Sequence, residues 1–235
     1  MAQKKLLRFA QIKAFENVLE KPTNMQGKWQ AYFKNNNPNV LELACGRGEY
    51  TIGLATLYPS QNYIGVDIKG NRMYIGAKIA LETNLVNAAF LRTEIEMLPD
   101  YFLQSEVDEI WITFPDPQLR ISKAKKRLTH PRFLRKYLEV LKPGGFIHLK
   151  TDSPNLYSFT KKVIHMYGLH LLEDNADVYA KTDIAEELKI KTHYESLDIA
   201  KSRKIHYLKF SLPNTIADFD KELQQILVAE NNTDK

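Results

Sequence analysis

The chain holds a single cysteine, Cys45, in 235 residues, which rules out an intrachain disulfide framework. Long apolar runs are missing too: none approaches the ~18 residues of a membrane-spanning helix. At the N-terminus Lys4, Lys5, Arg8 and Lys13 interrupt Leu6, Phe9, Ile12 and Phe15, so the continuous hydrophobic region of a secretory signal is absent. These absences point to a reducing, cytoplasmic setting with no membrane partner. The six histidines show no metal-ligand spacing, so His130 and His148 read as packing or surface residues and no metal is expected. Internal repeats, low-complexity tracts and a linker that would split the chain are likewise absent.

Acid is missing between residues 117 and 138. That stretch carries Arg120, Lys123, Lys125, Lys126, Arg127, Arg132, Arg135 and Lys136, leaving 25 basic against 28 acidic residues in the rest of the chain. The net charge of +5 therefore belongs to one segment, which suits a polyanion such as nucleic acid. Just ahead of it, Asp116 stands between Pro115 and Pro117. Proline fixes its own φ and disfavours the helical region for the residue before it. Residues 114–117 are therefore expected to form a stiff, extended turn that aims Asp116 in one direction.

Turning to what is present, a 44% hydrophobic content is enough for a substantial core. Short apolar strands are expected at 40–43, 63–67, 88–91, 109–114 and 146–150, with helical patterns at 50–57, 71–85 and 131–141 between them and at 154–167 after them. Further strands are expected at 169–172 and 205–212, separated by a polar, irregular stretch over 174–203 with a helix near 183–188. Ile216, Phe219, Leu223, Ile226 and Leu227 mark a C-terminal amphipathic helix before a frayed end. The first 36 residues read as a basic helical extension, with a stripe of Leu6, Ala10, Ile12, Phe15 and Leu19 that Pro22 interrupts.

Strands alternating with helices imply an α/β fold, a doubly wound, mostly parallel sheet with helices on both faces. Ligands of such sheets bind beyond the carboxyl ends of the strands. Glu42, Asp67, Glu94, Asp116 and Asp152 all fall at or just past an expected strand end. Five carboxylates on one edge repel one another unless a cationic or hydrogen-bonding ligand offsets them.

The turn Glu42-Leu-Ala-Cys-Gly-Arg-Gly48 lies between a strand and a helix, where glycines let backbone approach a ligand closely. It lacks the third glycine of the dinucleotide fingerprint, and Glu42 faces a pyrophosphate badly. A cationic ligand suits it better. S-adenosylmethionine carries a sulfonium and an ammonium, and Asp67 is spaced to accept hydrogen bonds from ribose hydroxyls. Glu94, or its neighbour Thr93, stands near the adenine. Cys45 reads as a small buried residue rather than a nucleophile.

In these residues the chain resembles the bacterial tRNA (guanine-N7)-methyltransferases, class I enzymes with a Rossmann-like fold. The matching motifs are Leu41-Glu-Leu-Ala-Cys-Gly-Arg-Gly48, Gly65-Val-Asp67, Phe114-Pro-Asp-Pro117 with the basic segment after it, Thr151-Asp152, and Thr192-His-Tyr-Glu195. Gln118 stands where the family usually carries Trp, and Arg120 where Lys is usual. The resemblance implies methyl transfer from S-adenosylmethionine to a guanine of the tRNA variable loop, by a monomer or homodimer. It implies cofactor contacts at Glu42, Gly46, Gly48, Asp67, Glu94 and Asp116, with Asp116 also catalytic. Guanine contacts are implied at Arg120, Asp152, Thr192 and Glu195, and RNA contacts at Ser122, Lys123, Lys125, Lys126 and Arg127. On this reading residues 37–213 form the methyltransferase domain, preceded by the 1–36 extension and followed by a helix and tail at 214–235. Rival readings are a methyltransferase of another substrate, a nicotinamide oxidoreductase, and a non-catalytic RNA-binding module.

Overall fold

The computed structural model describes residues 2–180, 182–196 and 204–233. Within them eight strands make one sheet: β1 (Val18–Glu20), β2 (Asn39–Leu43), β3 (Asn62–Asp67), β4 (Ala88–Arg92), β5 (Val107–Thr113), β6 (Leu141–Thr151), β7 (His170–Asn175) and β8 (His206–Ser211). Their order is β1-β4-β3-β2-β5-β6-β8-β7. The first six are parallel, and β8 runs antiparallel between β6 and β7. Helices α3 (Glu49–Leu57), α4 (Gly70–Glu82), α5 (Pro131–Leu138) and α6 (Pro154–Met166) follow β2, β3, β5 and β6, after α1 (Ala2–Ile12) and α2 (Trp29–Phe33). The short α7 (Glu186–Lys189) and α8 (His193–Ser196) and the terminal α9 (Asp220–Thr233) complete the described elements. The doubly wound α/β fold expected from the sequence is the fold observed.

Burial on both faces explains why the central strands are continuously apolar: every residue of β2 and β3 is buried. Leu41 and Leu43 of β2, with Ile110 and Ile112 of β5, join the larger core against Trp29, Leu134, Phe159 and Leu223. Val40, on the opposite face, packs with Trp111, Tyr50 and Leu54. Glu42 points to this second face, a carboxylate in a position that the pattern otherwise fills with hydrocarbon.

The helical stripe expected through Leu19 ends at Ile12. Residues 18–20 instead add an edge strand beside β4, with Leu19 opposite Leu91 and an Arg92–Glu20 ion pair of 2.9 Å across the pair. Three residues are too few to show a period of two. The helix expected over 131–141 ends at Leu138, and the strand expected from 146 begins earlier, so that Lys142-Pro-Gly-Gly145 lies within β6. The irregular stretch expected over 174–203 includes residues 181 and 197–203, and the frayed end includes 234–235, all outside the described residues.

Candidate active site

The strand order reverses between β2 and β5, which are neighbours through Leu43 and Ile112. Their carboxyl ends open a crevice of the kind that takes ligands in doubly wound sheets. Both strands leave the sheet the same way: Ala44 has φ +57° and Phe114 φ +46°, left-handed backbone at two non-glycine residues. Such strain persists where surrounding structure enforces it and clusters at ligand sites.

On the β2 side, Gly46 and Gly48 have φ +57° and +76°. Gly48 closes the turn by donating to the Cys45 carbonyl at 2.7 Å. A Cβ on Gly48 would lie 2.5 Å from the Phe90 ring, so only glycine packs there. Gly46 donates its N–H to Asp67 Oδ2 at 3.0 Å, and Lys69 donates to Oδ1 at 2.8 Å. Each carboxylate oxygen keeps a lone pair for a further donor. Cys45 is buried, which pushes its thiol well above the ordinary range and leaves it the small packing residue expected.

Glu42 lies beneath this turn. Its Oε2 accepts from the Thr51 N–H at 2.8 Å and from the Thr51 hydroxyl at 2.5 Å, and its Oε1 accepts from the Thr113 hydroxyl at 2.9 Å. Burial pushes its carboxyl up to about 7, despite these hydrogen bonds. It ties the two strand ends and α3 together from below. Glu94 points to solvent and pairs with Lys21 at 3.2 Å. Its neighbour Thr93 is buried, donates its N–H to the Asp67 carbonyl at 3.2 Å, and has a side-chain oxygen with no partner among the described residues. An orphaned hydroxyl beside Asp67, and a Gly46 whose added Cβ would meet only the Ala44 carbonyl, 3.9 Å away, fit an adenosine-bearing ligand.

On the β5 side the expected extended turn is corrected. Phe114, ahead of Pro115, is left-handed, held by its N–H to the Lys150 carbonyl at 2.8 Å. Asp116 is exposed, and its Oδ1 accepts the Gln118 N–H at 3.0 Å. Gln118 is itself left-handed at φ +46°. Arg127, grouped by sequence with the RNA-facing cations, is buried. Its guanidinium donates to the Pro117 and Gln118 carbonyls at 3.2 to 3.3 Å and lies 4.4 Å from the Phe159 ring centroid. Arg127 braces the Asp116 loop.

The eight cations of the basic segment thus divide. Arg132 pairs with Glu96, Arg135 with Asp220 and Lys136 with Glu139. Arg120, Lys123, Lys125 and Lys126 are exposed, with no ion pair among the described residues, and Ser122 is exposed beside them. Ala124, buried on the same 3₁₀ segment, turns the lysines outward.

Two clefts meet here. One, of about 430 Å³, is lined by Cys45, Gly46, Arg47, Asn71, Thr113 and Thr192 among others. The second, of about 950 Å³, is lined by Asp116, Asp152, Lys69, Lys204 and His206 among others. Arg72, Phe114 and Tyr194 line both. Asp116 and Asp152 line the same cleft. Glu195 does not face either cleft: it is locked in a buried pair with Lys150. Sequence reasoning passed over Lys150, although a lysine closing the apolar run Phe146-Ile-His-Leu is a charge at the inner end of a buried strand. Among the described residues no His, Cys, Asp or Glu cluster is able to hold a metal, and no helix is long and apolar enough to cross a membrane.

Comparison with known proteins accords with this geometry. Residues 36–208 match the family described as "Putative methyltransferase". The tRNA (guanine-N(7)-)-methyltransferase of Porphyromonas gingivalis is 50% identical over 190 residues, 80% of this chain and 77% of that protein. The enzyme of the same name from Bacteroides thetaiotaomicron is 44% identical over 222 residues, 91% and 87% of the two chains. Among solved structures, the 16S rRNA methyltransferase KamB superposes with a TM-score of 0.62 at 18% identity, over 84% of this chain and 99% of that one. A 16S rRNA (adenine(1408)-N(1))-methyltransferase from Catenulisporales acidiphilia, a variant solved with cosubstrate S-adenosylmethionine, gives 0.52 at 14% identity, over 78% and 89%. These two likenesses concern the fold, whereas the sequence relatives fix the family: the chain belongs to the tRNA (guanine-N7)-methyltransferases.

Proposed function

We propose that this chain methylates N7 of a guanine in the variable loop of tRNA, with Asp116 as the central acidic group. The observation that carries the reading is the meeting of two clefts at Phe114, with Asp116 on the wall of the larger one and, on the adjoining segment, four exposed cations with no ion pair among the described residues. S-adenosylmethionine supplies an electrophilic methyl group on a sulfonium. Asp67 and the Gly46 turn would hold its ribose and methionyl ends, with Thr93 near the base. Glu42 holds that turn rather than the ligand.

Guanine N7 is an exposed lone pair with no proton at neutral pH, so no general base is required to unmask it. The residues' tasks are positioning and electrostatics. Asp116, fixed by the Asx-type turn to Gln118 and braced by Arg127, offers negative charge where the purine becomes cationic. Asp152 accepts hydrogen bonds from the N1 and N2 edge of guanine, and adenine would leave that carboxylate unpaired. Arg120 would meet the base, and Thr192, on the smaller cleft, would wall it from the cofactor side. Lys123, Lys125, Lys126 and Ser122 hold RNA phosphates. The partner is tRNA, the setting cytoplasmic, and the enzyme works as a monomer or homodimer, residues 37–213 carrying the chemistry.

The test is incubation with methyl-labelled S-adenosylmethionine and unmodified tRNA, followed by reduction and aniline cleavage. Label in the RNA and scission at one guanine are expected, and Asp116→Ala should lose most turnover while cofactor binding weakens less. Label without scission contradicts N7 as the target.

A further inference from the structure

The segment 192–195 is fastened from beneath. Lys150 is fully buried at the end of β6, and its Nζ donates to the Leu188 and Ile190 carbonyls, both at 2.9 Å. It also donates to Glu195 Oε2 at 3.1 Å, while the Tyr179 hydroxyl donates to Glu195 Oε1. Thr192 turns its hydroxyl back to accept the Glu195 N–H at 3.1 Å. With both ends of the motif committed to its own fold, Tyr194 between them stays 43% exposed. It lines both clefts and lies against Phe114, ring centroids 6.4 Å apart and planes at 44°. Phe114 is the residue whose left-handed backbone starts the Asp116 loop.

We propose that Tyr194, backed by Phe114, is the stacking platform for the target guanine, and that it binds the N7-methylated base more tightly than the unmethylated one. This rests on the function proposed above. Every purine offers a π-face, and an exposed aromatic ring beside a base pocket is a standing partner for it. During transfer the N7 lone pair forms the new N–CH3 bond as the C–S bond breaks, and its electron pair stays on sulfur. No proton moves, and the positive charge passes from sulfur to the purine ring. An aromatic face attracts a cation. The stacking interaction therefore strengthens along the reaction, the kind of contact that accelerates chemistry rather than merely tightening substrate binding. Arg72, on the same wall, is exposed and has no ion pair among the described residues, so it is free to meet a phosphate of the target nucleotide.

The experiment compares wild type with Tyr194→Leu and Tyr194→Phe in the full chain. Tyr194→Leu should lose roughly tenfold in kcat/KM for tRNA, the size expected for one stacked base. Its thermal midpoint should stay near wild type, and Tyr194→Phe should retain turnover. A second readout is independent of turnover: competition by 7-methylguanosine monophosphate against guanosine monophosphate. Wild type should prefer the methylated nucleotide, and Tyr194→Leu should lose that preference. Undiminished kcat/KM in Tyr194→Leu, or an equal preference in the two proteins, overturns the platform. If wild type forms no 7-methylguanine in tRNA, the functional reading fails instead, and the nucleotide competition still tells the two apart.

Discussion

Lys150 Nζ lies 3.1 Å from Glu195 Oε2, with the two side chains 0% and 5% exposed. A lysine at the end of a central strand is thereby joined to a segment 45 residues later that walls the cofactor-side cleft. Burial lowers the lysine's affinity for its proton and Glu195 raises it, so the ammonium depends on its partner.

Removing one member of such a pair leaves an uncompensated charge inside the protein. Lys150→Met or Glu195→Gln alone should destabilise by about 3 kcal/mol. The double variant should recover part of that loss. Equilibrium denaturation checks this, and single variants as stable as wild type would show that the pair carries no such weight.

The split within the basic segment makes a second prediction. Replacing Lys123, Lys125 and Lys126 together by Ala should weaken tRNA binding and flatten the dependence of log K on log salt by two to three phosphate contacts, about 0.9 per contact for duplex. Arg127→Ala should leave that slope unchanged. It should lower kcat, because the Pro117 and Gln118 carbonyls lose their brace. Filter binding across a salt series, with turnover measured in parallel, separates the two effects.

Thr93 and Glu94 differ in exposure and partners, and so should differ in effect. Thr93→Val should weaken S-adenosylmethionine binding, since the orphaned hydroxyl beside Asp67 is the one suited to a ligand. Glu94→Gln breaks only a surface pair with Lys21 and should bind the cofactor within about twofold of wild type. Calorimetric titration reads both.

Glu42 predicts a pH effect of unusual sign. Its folded carboxyl sits at about 7 against an ordinary 4.5, so the folded state holds the proton more tightly than the unfolded chain. Stability from this group is fully present below about 4.5, falls as pH rises, and levels off above about 7. Glu42→Gln should abolish that decline, and the stability difference between the proteins should change by up to about 3 kcal/mol from pH 4 to 8. A constant difference across that range contradicts the shifted carboxyl.

The succession of strands and helices along the chain, the glycine turn, and the placing of Asp67, Asp116 and Asp152 near strand ends were legible because each rests on local chemistry: apolar runs, turn residues and proline. The edge strand at Val18 was not, because three residues carry no period and its pairing with β4 spans 72 positions. Nor was the burial of Arg127, for a guanidinium bound to backbone carbonyls looks in sequence like its exposed neighbours. Glu42 read as a ligand because it precedes the turn. Only the hydroxyls of Thr51 and Thr113, 9 and 71 residues away, reveal that it is a structural acceptor. What sequence missed was in each case a partner that only the fold brings into contact, from 9 residues away for Thr51 to 72 for Glu20.

The most direct measurement is methyl incorporation into two otherwise identical tRNA transcripts, one with guanine and one with 7-deazaguanine, which has carbon in place of N7. The guanine transcript should take up label, cleavable at one position after reduction, and the 7-deazaguanine transcript none. Equal labelling of both would contradict N7 transfer at this site.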